Sequence, residues 1–129
     1  MSGSFLLDTN IAIAFLEGES SIVDRVMQAE RVLLSSTIVG ELYYGAFKSG
    51  RVESNVERVE VLIGRIPVLG CDRNTSKVYG QIKNQLHKKG RPLPENDIWI
   101  AAIARQYDLT LVSRDRHFHE IENLKLDIW

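Results

Sequence analysis

Residues 5–10 read Phe5-Leu6-Leu7-Asp8-Thr9-Asn10, and an apolar stretch from Ile11 to Leu16 follows. Three apolar residues that stop at an acid predict a short buried strand. Asp8, Thr9 and Asn10 are all good helix N-caps, so Ile11 to Leu16 is predicted as the helix they start, with Gly18 ending it. A strand that passes into a helix within one turn is the opening move of an alternating α/β chain. The rest of the sequence can be read outward from it.

The alternation continues. A helical pattern runs from Ser20 to Ala29, with Ile22, Val23, Val26 and Met27 apolar, and Val32 to Ser35 is a second strand. Thr37 opens a helix with Glu41 in its interior, closed by Gly50. An amphipathic helix from Val52 to Ile66 ends at Pro67. Val68-Leu69 is a third strand. Thr75 to Lys89 is a long polar helix followed by Gly90. After the stiff connector Arg91-Pro92-Leu93-Pro94, the residues Glu95, Asn96 and Asp97 stand at the start of a very apolar helix, Ile98 to Tyr107. Leu109 to Val112 is a fourth strand, Ser113-Arg114-Asp115 a turn, His117 to Ile121 a short helix, and Leu126 to Ile128 an edge strand. Strands alternating with helices predict an α/β fold, a central parallel β-sheet flanked by α-helices, as one domain across residues 1–129.

Bulk composition narrows the function. The chain has 129 residues, 44% hydrophobic and 26% charged, which suits one ordinary globular core. A net charge of −1 argues against a bulk electrostatic nucleic-acid binder but leaves room for an enzyme that engages RNA through a metal and a few local cations. The single cysteine, Cys71, cannot form an internal disulfide. The N-terminal apolar run is broken by Asp8 and Asn10 and has no basic segment before it, so neither a signal peptide nor a membrane span is expected, and the cytoplasm is the expected location.

Four acids fall where a parallel sheet would gather them. Asp8 and Asp115 each follow a strand, Asp97 opens a helix, and Glu41 lies one turn into the helix after the second strand. Ligands of open α/β sheets sit in the crevice beyond the strand C-termini, and all four can reach that edge. Singly, each has an ordinary explanation: Asp8 caps a helix, Asp97 complements a helix dipole, Asp115 serves a turn. Glu41 and Asp97 resist it. Glu41 shares its helix face with Ile38, Leu42 and Gly45, and Asp97 with Ile100, Ala101 and Ala104. Both carboxylates then point toward packed protein, with no Lys or Arg adjacent on either face. A buried carboxylate needs a partner. A divalent cation such as Mg²⁺ answers that need, since hard cations take carboxylate oxygens and keep phosphate as a further ligand.

The blocks Phe5-Leu6-Leu7-Asp8-Thr9-Asn10, Gly40-Glu41-Leu42 with Gly45, Pro94-Glu95-Asn96-Asp97 followed by Ile100-Ala101-Ala102, and Leu111-Val112-Ser113-Arg114-Asp115 with Phe118 resemble the four motif blocks of PIN domains. The closest subgroup is the VapC-type toxins of bacterial toxin–antitoxin pairs. The resemblance runs from about residue 4 to the C-terminus. It implies a PIN-like parallel sheet and cleavage of RNA, often tRNA or rRNA, dependent on one or two Mg²⁺ or Mn²⁺ ions. It also implies a VapB-like antitoxin partner and a homodimer. Carried onto this sequence, it makes Asp8 and Asp97 the main metal ligands, with Glu41 and Asp115 completing the site. Asn10, Asn96 and Ser113 become groups that hydrogen-bond the ligands.

Cations bracket the acidic edge in the sequence. Lys48 and Arg51 follow the Glu41 helix, Lys88, Lys89 and Arg91 precede Asp97, and Arg114 and Arg116 flank Asp115. They are candidates for RNA phosphate contacts, against the ordinary reading of a solvated charged surface. Tyr43, Tyr44 and Phe47 could stack bases, though core or antitoxin contact suits them better. His87, His117 and His119 could act as general acids, but they lie outside the motif blocks, and an exposed histidine is usually incidental. Two other classes compete. A phosphoacceptor receiver-like signalling domain has similar length, and Asp72 follows the third strand, but the paired acids after strand one are absent; a haloacid-dehalogenase-like phosphatase would need Asp where Asn10 stands. A non-catalytic PIN binding module normally lacks some of the acids that this chain keeps.

Overall fold

The structure, a computed structural model, describes residues 3–129. The elements are β1 (Ser4–Leu7), α1 (Thr9–Leu16), α2 (Ser20–Gln28), β2 (Arg31–Ser35), α3 (Ser36–Phe47), α4 (Val52–Ile63), β3 (Val68–Leu69), α5 (Arg73–Lys89), α6 (Glu95–Gln106), β4 (Thr110–Ser113), a 3₁₀ turn (Arg116–Glu120) and β5 (Leu126–Ile128). Five parallel strands form one sheet in the order β3-β2-β1-β4-β5. From β1 the chain builds outward through β2 and β3, then returns to the other side of β1 for β4 and β5. The order therefore reverses between β1 and β4, and in such sheets the crevice outside that point is where ligands bind.

The central strands are buried on both faces. Leu6, Leu7, Leu34, Leu111 and Val112 have no exposed surface. Such continuous burial is what parallel strands covered by helices require. The β1–β4 junction is tied at its C-terminal end, where the Asp8 backbone N–H donates to the Val112 carbonyl at 2.9 Å. The next helix begins at once, because Asp8 is the N-cap of α1. On α6, Ile98 and the run Ile100 to Ala104 are buried. Three alanines in that run let the helix sit close to its neighbours, as its sequence suggested. No described helix is long and apolar enough to cross a membrane.

Several boundaries differ from the sequence reading, three of them at helix ends with a clear cause. The helix expected from Ile98 begins at Glu95, since the Pro94 carbonyl already accepts the Asp97 and Ile98 N–H groups at 3.1 and 3.2 Å. The helix expected to run to Ile66 stops at Ile63, with Gly64 as C-cap. The helix expected from Thr75 starts at Arg73, because Asp72 and Thr75 form a reciprocal capping box.

Candidate active site

Asp8 ends up at the sheet switch point because the last strand residue before it is buried and the cap position holds it there. It is 5% exposed. Its Oδ1 accepts the Thr9 N–H at 2.9 Å and its Oδ2 accepts the Ser113 hydroxyl at 2.7 Å. Burial raises its pKa, the Ser113 and Thr9 hydrogen bonds oppose that, and the charge of Asp115 adds to it.

Ser113, at the end of β4, has no exposed surface and joins the two strand ends. Besides donating to Asp8, its Oγ accepts the Asp115 N–H at 2.9 Å and the Asn10 amide at 3.4 Å. Asn10 in turn accepts the Arg114 N–H at 3.3 Å. The tip of β1–α1 and the turn after β4 are therefore one hydrogen-bonded unit.

Asp97 lies in the first turn of α6 with its side chain 16% exposed. Its pKa is pushed up to about 6, first by burial and then by the negative charge of Asp8; Glu41 and Asp115 add to the rise, and His117 opposes it. The effects of Asp8, Glu41 and Asp115 on one carboxyl put these three acids within electrostatic reach of Asp97. Glu41, on the partly buried face of α3, has a buried Oε1 with no hydrogen-bond partner among the described residues. An orphaned buried carboxylate oxygen beside a crowded carboxyl is what a divalent cation would relieve, so the donor set fits a Mg²⁺ or Mn²⁺ site.

Sequence reasoning missed one member. His117 was set aside with His87 and His119, yet its Nε2 lies 3.0 Å from Asp97 Oδ2 and its Nδ1 lies 3.0 Å from Asp115 Oδ1. Asp97, Asp115 and His117 offer ligand atoms all within 4.8 Å of one another. The spacing Asp115-x-His117 at a helix cap was the available signal: the Asp115 carboxylate caps the 3₁₀ turn by accepting the His117 N–H at 3.1 Å. His87 and His119 are exposed.

The remaining expected residues divide. Asn96 is exposed in the first turn of α6 and its side chain makes no hydrogen bond among the described residues, so it does not brace the acids as expected of it. Lys89 and Arg91 pair with Glu120 at 3.4 and 4.0 Å, and Arg114 pairs with Glu19. Lys48 lies 4.8 Å over the Tyr44 ring. Arg51, Lys88 and Arg116 are exposed. Among the described residues no Lys or Arg pairs with any of the four acids. Asp72 is a structural cap: it accepts the Thr75 N–H and the Gln106 amide, both at 3.0 Å, and these bonds lower its pKa. It follows β3 at the sheet edge, away from the switch point, which disfavours a receiver-like phosphoacceptor.

The PIN domain family model matches residues 5–124. A protein named Ribonuclease VapC2 from Haemophilus influenzae is 38% identical over 128 residues, 97% of each chain. The tRNA(fMet)-specific endonuclease VapC of Shigella flexneri is 34% identical over 128 residues, again 97% of each chain. Among solved structures, the DNA-bound VapBC of Salmonella typhimurium superposes with a TM-score of 0.91 at 34% identity, over 98% of each chain.

Proposed function

From the premise that this chain belongs to the PIN-domain family, we propose that it is a divalent-metal-dependent endoribonuclease, the toxin of a toxin–antitoxin pair, acting in the cytoplasm on structured RNA such as tRNA or rRNA. The family assignment rests on the match across residues 5–124 and on relatives named ribonucleases. The observation that supports the metal-dependent chemistry is the meeting of Asp97, Asp115 and His117, whose ligand atoms lie within 4.8 Å of one another, together with the unpartnered buried Oε1 of Glu41.

Asp8, Asp97 and Glu41 would hold the ion, with Asp115 beside them. Bound there, one or two Mg²⁺ or Mn²⁺ ions supply charge for the phosphate oxygens and acidity for an attacking water. The chain's own residues do the positioning. Ser113 fixes the Asp8 carboxylate, and Asn10 ties the Asp8 turn to the Arg114 backbone. The buried wall formed by α6 limits water around Asp97. No serine, cysteine or threonine nucleophile is required, and hydrolysis leaves a 5′-phosphate and a 3′-hydroxyl. Lys48, Arg51, Lys88, Arg114 and Arg116, together with Lys89 and Arg91, would meet the RNA backbone.

The partner in this reading is a VapB-like antitoxin, as in the VapBC complexes among the solved relatives. Its place is the exposed side of α3. Tyr44 and Phe47 are 66% and 62% exposed there, and an adjoining cleft of about 240 Å³ runs between Ile13 and Val59 with Glu41 in its wall. An antitoxin segment on this surface can bring an arginine to the acids. A homodimer is the expected assembly.

The test is cleavage of a tRNA pool by purified protein, with RNA ends mapped. Activity should require Mg²⁺ or Mn²⁺, vanish in EDTA, and vanish in Asp8→Ala and Asp97→Ala. Glu41→Gln and Asp115→Asn should lose less, in a way that depends on metal concentration. Full activity of Asp97→Ala at saturating metal would sink the assignment.

A further inference from the structure

Resting on the metal-nuclease reading, we propose that His117 is a nitrogen ligand of the bound ion through Nε2, that Asp115 orients it, and that the site therefore selects Mn²⁺ over Mg²⁺. The juxtaposition begins with the short loop after β4. Asp115 caps the 3₁₀ turn, so its carboxylate and the His117 side chain are held two residues apart on the same turn. Nδ1 of His117 sits 3.0 Å from Asp115 Oδ1, the oxygen that already accepts the His117 backbone N–H. Phe118, 1% exposed, meets the imidazole edge-on at 4.7 Å between ring centroids and limits its rotation.

With the ring hydrogen on Nδ1, facing Asp115, Nε2 presents a lone pair. That atom is buried, has no hydrogen bond, and stands 3.0 Å from Asp97 Oδ2. Two acceptors face each other at contact distance, and a cation bound by both resolves the clash. A ligating histidine whose other ring N–H is given to a carboxylate is the usual way proteins fix the tautomer and orientation of a metal ligand. Asp115 thus acts on the metal through His117, as a positioning residue, while Asp97 supplies the facing oxygen and Asp8 and Glu41 add negative charge around it.

The chemical consequence is selectivity. Mg²⁺ takes oxygen ligands and dehydrates reluctantly. A mixed nitrogen and oxygen set suits first-row transition ions, with Mn²⁺ the weakest-binding of that series and the fairest probe.

The experiment uses the metal-free full chain and needs no RNA. Mn²⁺ and Mg²⁺ are titrated by calorimetry into native protein, His117→Gln and Asp97→Ala, and the Mn²⁺-loaded native protein is examined by pulsed electron paramagnetic resonance. Native protein should show a directly bound ¹⁴N coupling and a clear Mn²⁺ preference. His117→Gln should lose the coupling and about tenfold or more in Mn²⁺ affinity, with Mg²⁺ affinity changed by less than about threefold. Mn²⁺ bound without nitrogen coupling in native protein overturns the proposal without recourse to any variant. So does an unchanged Mn²⁺ to Mg²⁺ ratio in His117→Gln. If that result comes with binding abolished in Asp97→Ala, the metal site stands and only the role of His117 falls. Native protein that binds neither ion overturns both readings.

Discussion

Replacing Asp97 by Asn should stabilise the metal-free protein while destroying its activity. The magnitude follows first from the burial of that carboxyl and then from the acids crowded around it. An aspartate that titrates near 6 instead of 3.8 carries an ionised form about 3 kcal/mol less favourable in the folded chain at neutral pH. Asn removes the charge but stays a largely buried polar group whose amide must find partners, so a net gain of about 1–2 kcal/mol is expected. For a domain of this size that is roughly 3–8 °C in melting temperature. The sign has a pH signature. Because the folded-state pKa is raised, the carboxyl is protonated in both states below about pH 4, and the penalty is absent there. It grows as pH rises between about 4 and 6 and is complete above that. Thermal melts in EDTA should therefore show Asp97→Asn well above native near pH 7.5 and level with it near pH 4. Added Mg²⁺ or Mn²⁺ should raise the native melting temperature more than the variant's, since binding to the folded state alone stabilises it by mass action. A variant less stable than native in EDTA at neutral pH, or a gap that ignores pH, would refute the repulsion argument and leave Asp97 as a helix-start residue.

Ser113→Ala removes the donor to Asp8 and the acceptor of the Asp115 N–H inside a fully buried junction, and should cost about 1–3 kcal/mol by denaturant melts, with cleavage reduced beyond what the lost folded fraction explains. Native cleavage rates in the folded variant would show that the junction does not position the acids. Tyr44→Asp and Phe47→Asp should weaken antitoxin binding or dimerisation at least tenfold by calorimetry or sedimentation while leaving the melting temperature within a few degrees, because both side chains are already mostly in solvent. Normal binding by both variants would move the partner surface elsewhere. RNA affinity should rise with millimolar Mg²⁺ at constant ionic strength: two such ions change the formal charge from −1 to about +3, focused on the acids. Equal strengthening by a monovalent salt would remove the metal from that account.

Much of this was legible because the site is built on regular elements. Phe5-Leu6-Leu7 stops at Asp8: β1 ends at Leu7 and the very next residue caps α1, so a local pattern fixed the position of Asp8 in space. Glu41 and Asp97 were legible through their helix neighbours, since small and apolar residues at the adjoining positions implied burial. The start of α6 was placed late because Pro94, which breaks a helix from inside, here precedes one and lends it a carbonyl. Asn96 was expected among the bracing groups because it adjoins Asp97 in sequence, but consecutive helix residues face different directions, and Asn96 faces solvent. His117 was illegible for a different reason. Its position depends on a one-turn 3₁₀ element and on α6 lying across from it, a meeting of residues twenty positions apart that no periodicity carries.

The charges explain why such a site would answer to a partner as well as to a metal. Four carboxylates gather at one sheet edge, and several cations near them in sequence are paired elsewhere, Arg114 with Glu19 and Lys89 and Arg91 with Glu120, while Arg116 is exposed. His117 stands at contact distance from two of the acids, between Asp97 and Asp115. Folding thus concentrates negative charge that the chain does not itself neutralise, and the stability lost to that repulsion is recovered by any cation of the right shape. A divalent ion and an arginine delivered along the exposed side of α3 would draw on the same electrostatic deficit around Asp97 and Glu41. The two therefore compete. In this account the antitoxin need not deform the fold to silence the enzyme; occupying the deficit with a charge that carries no water to the phosphate is sufficient.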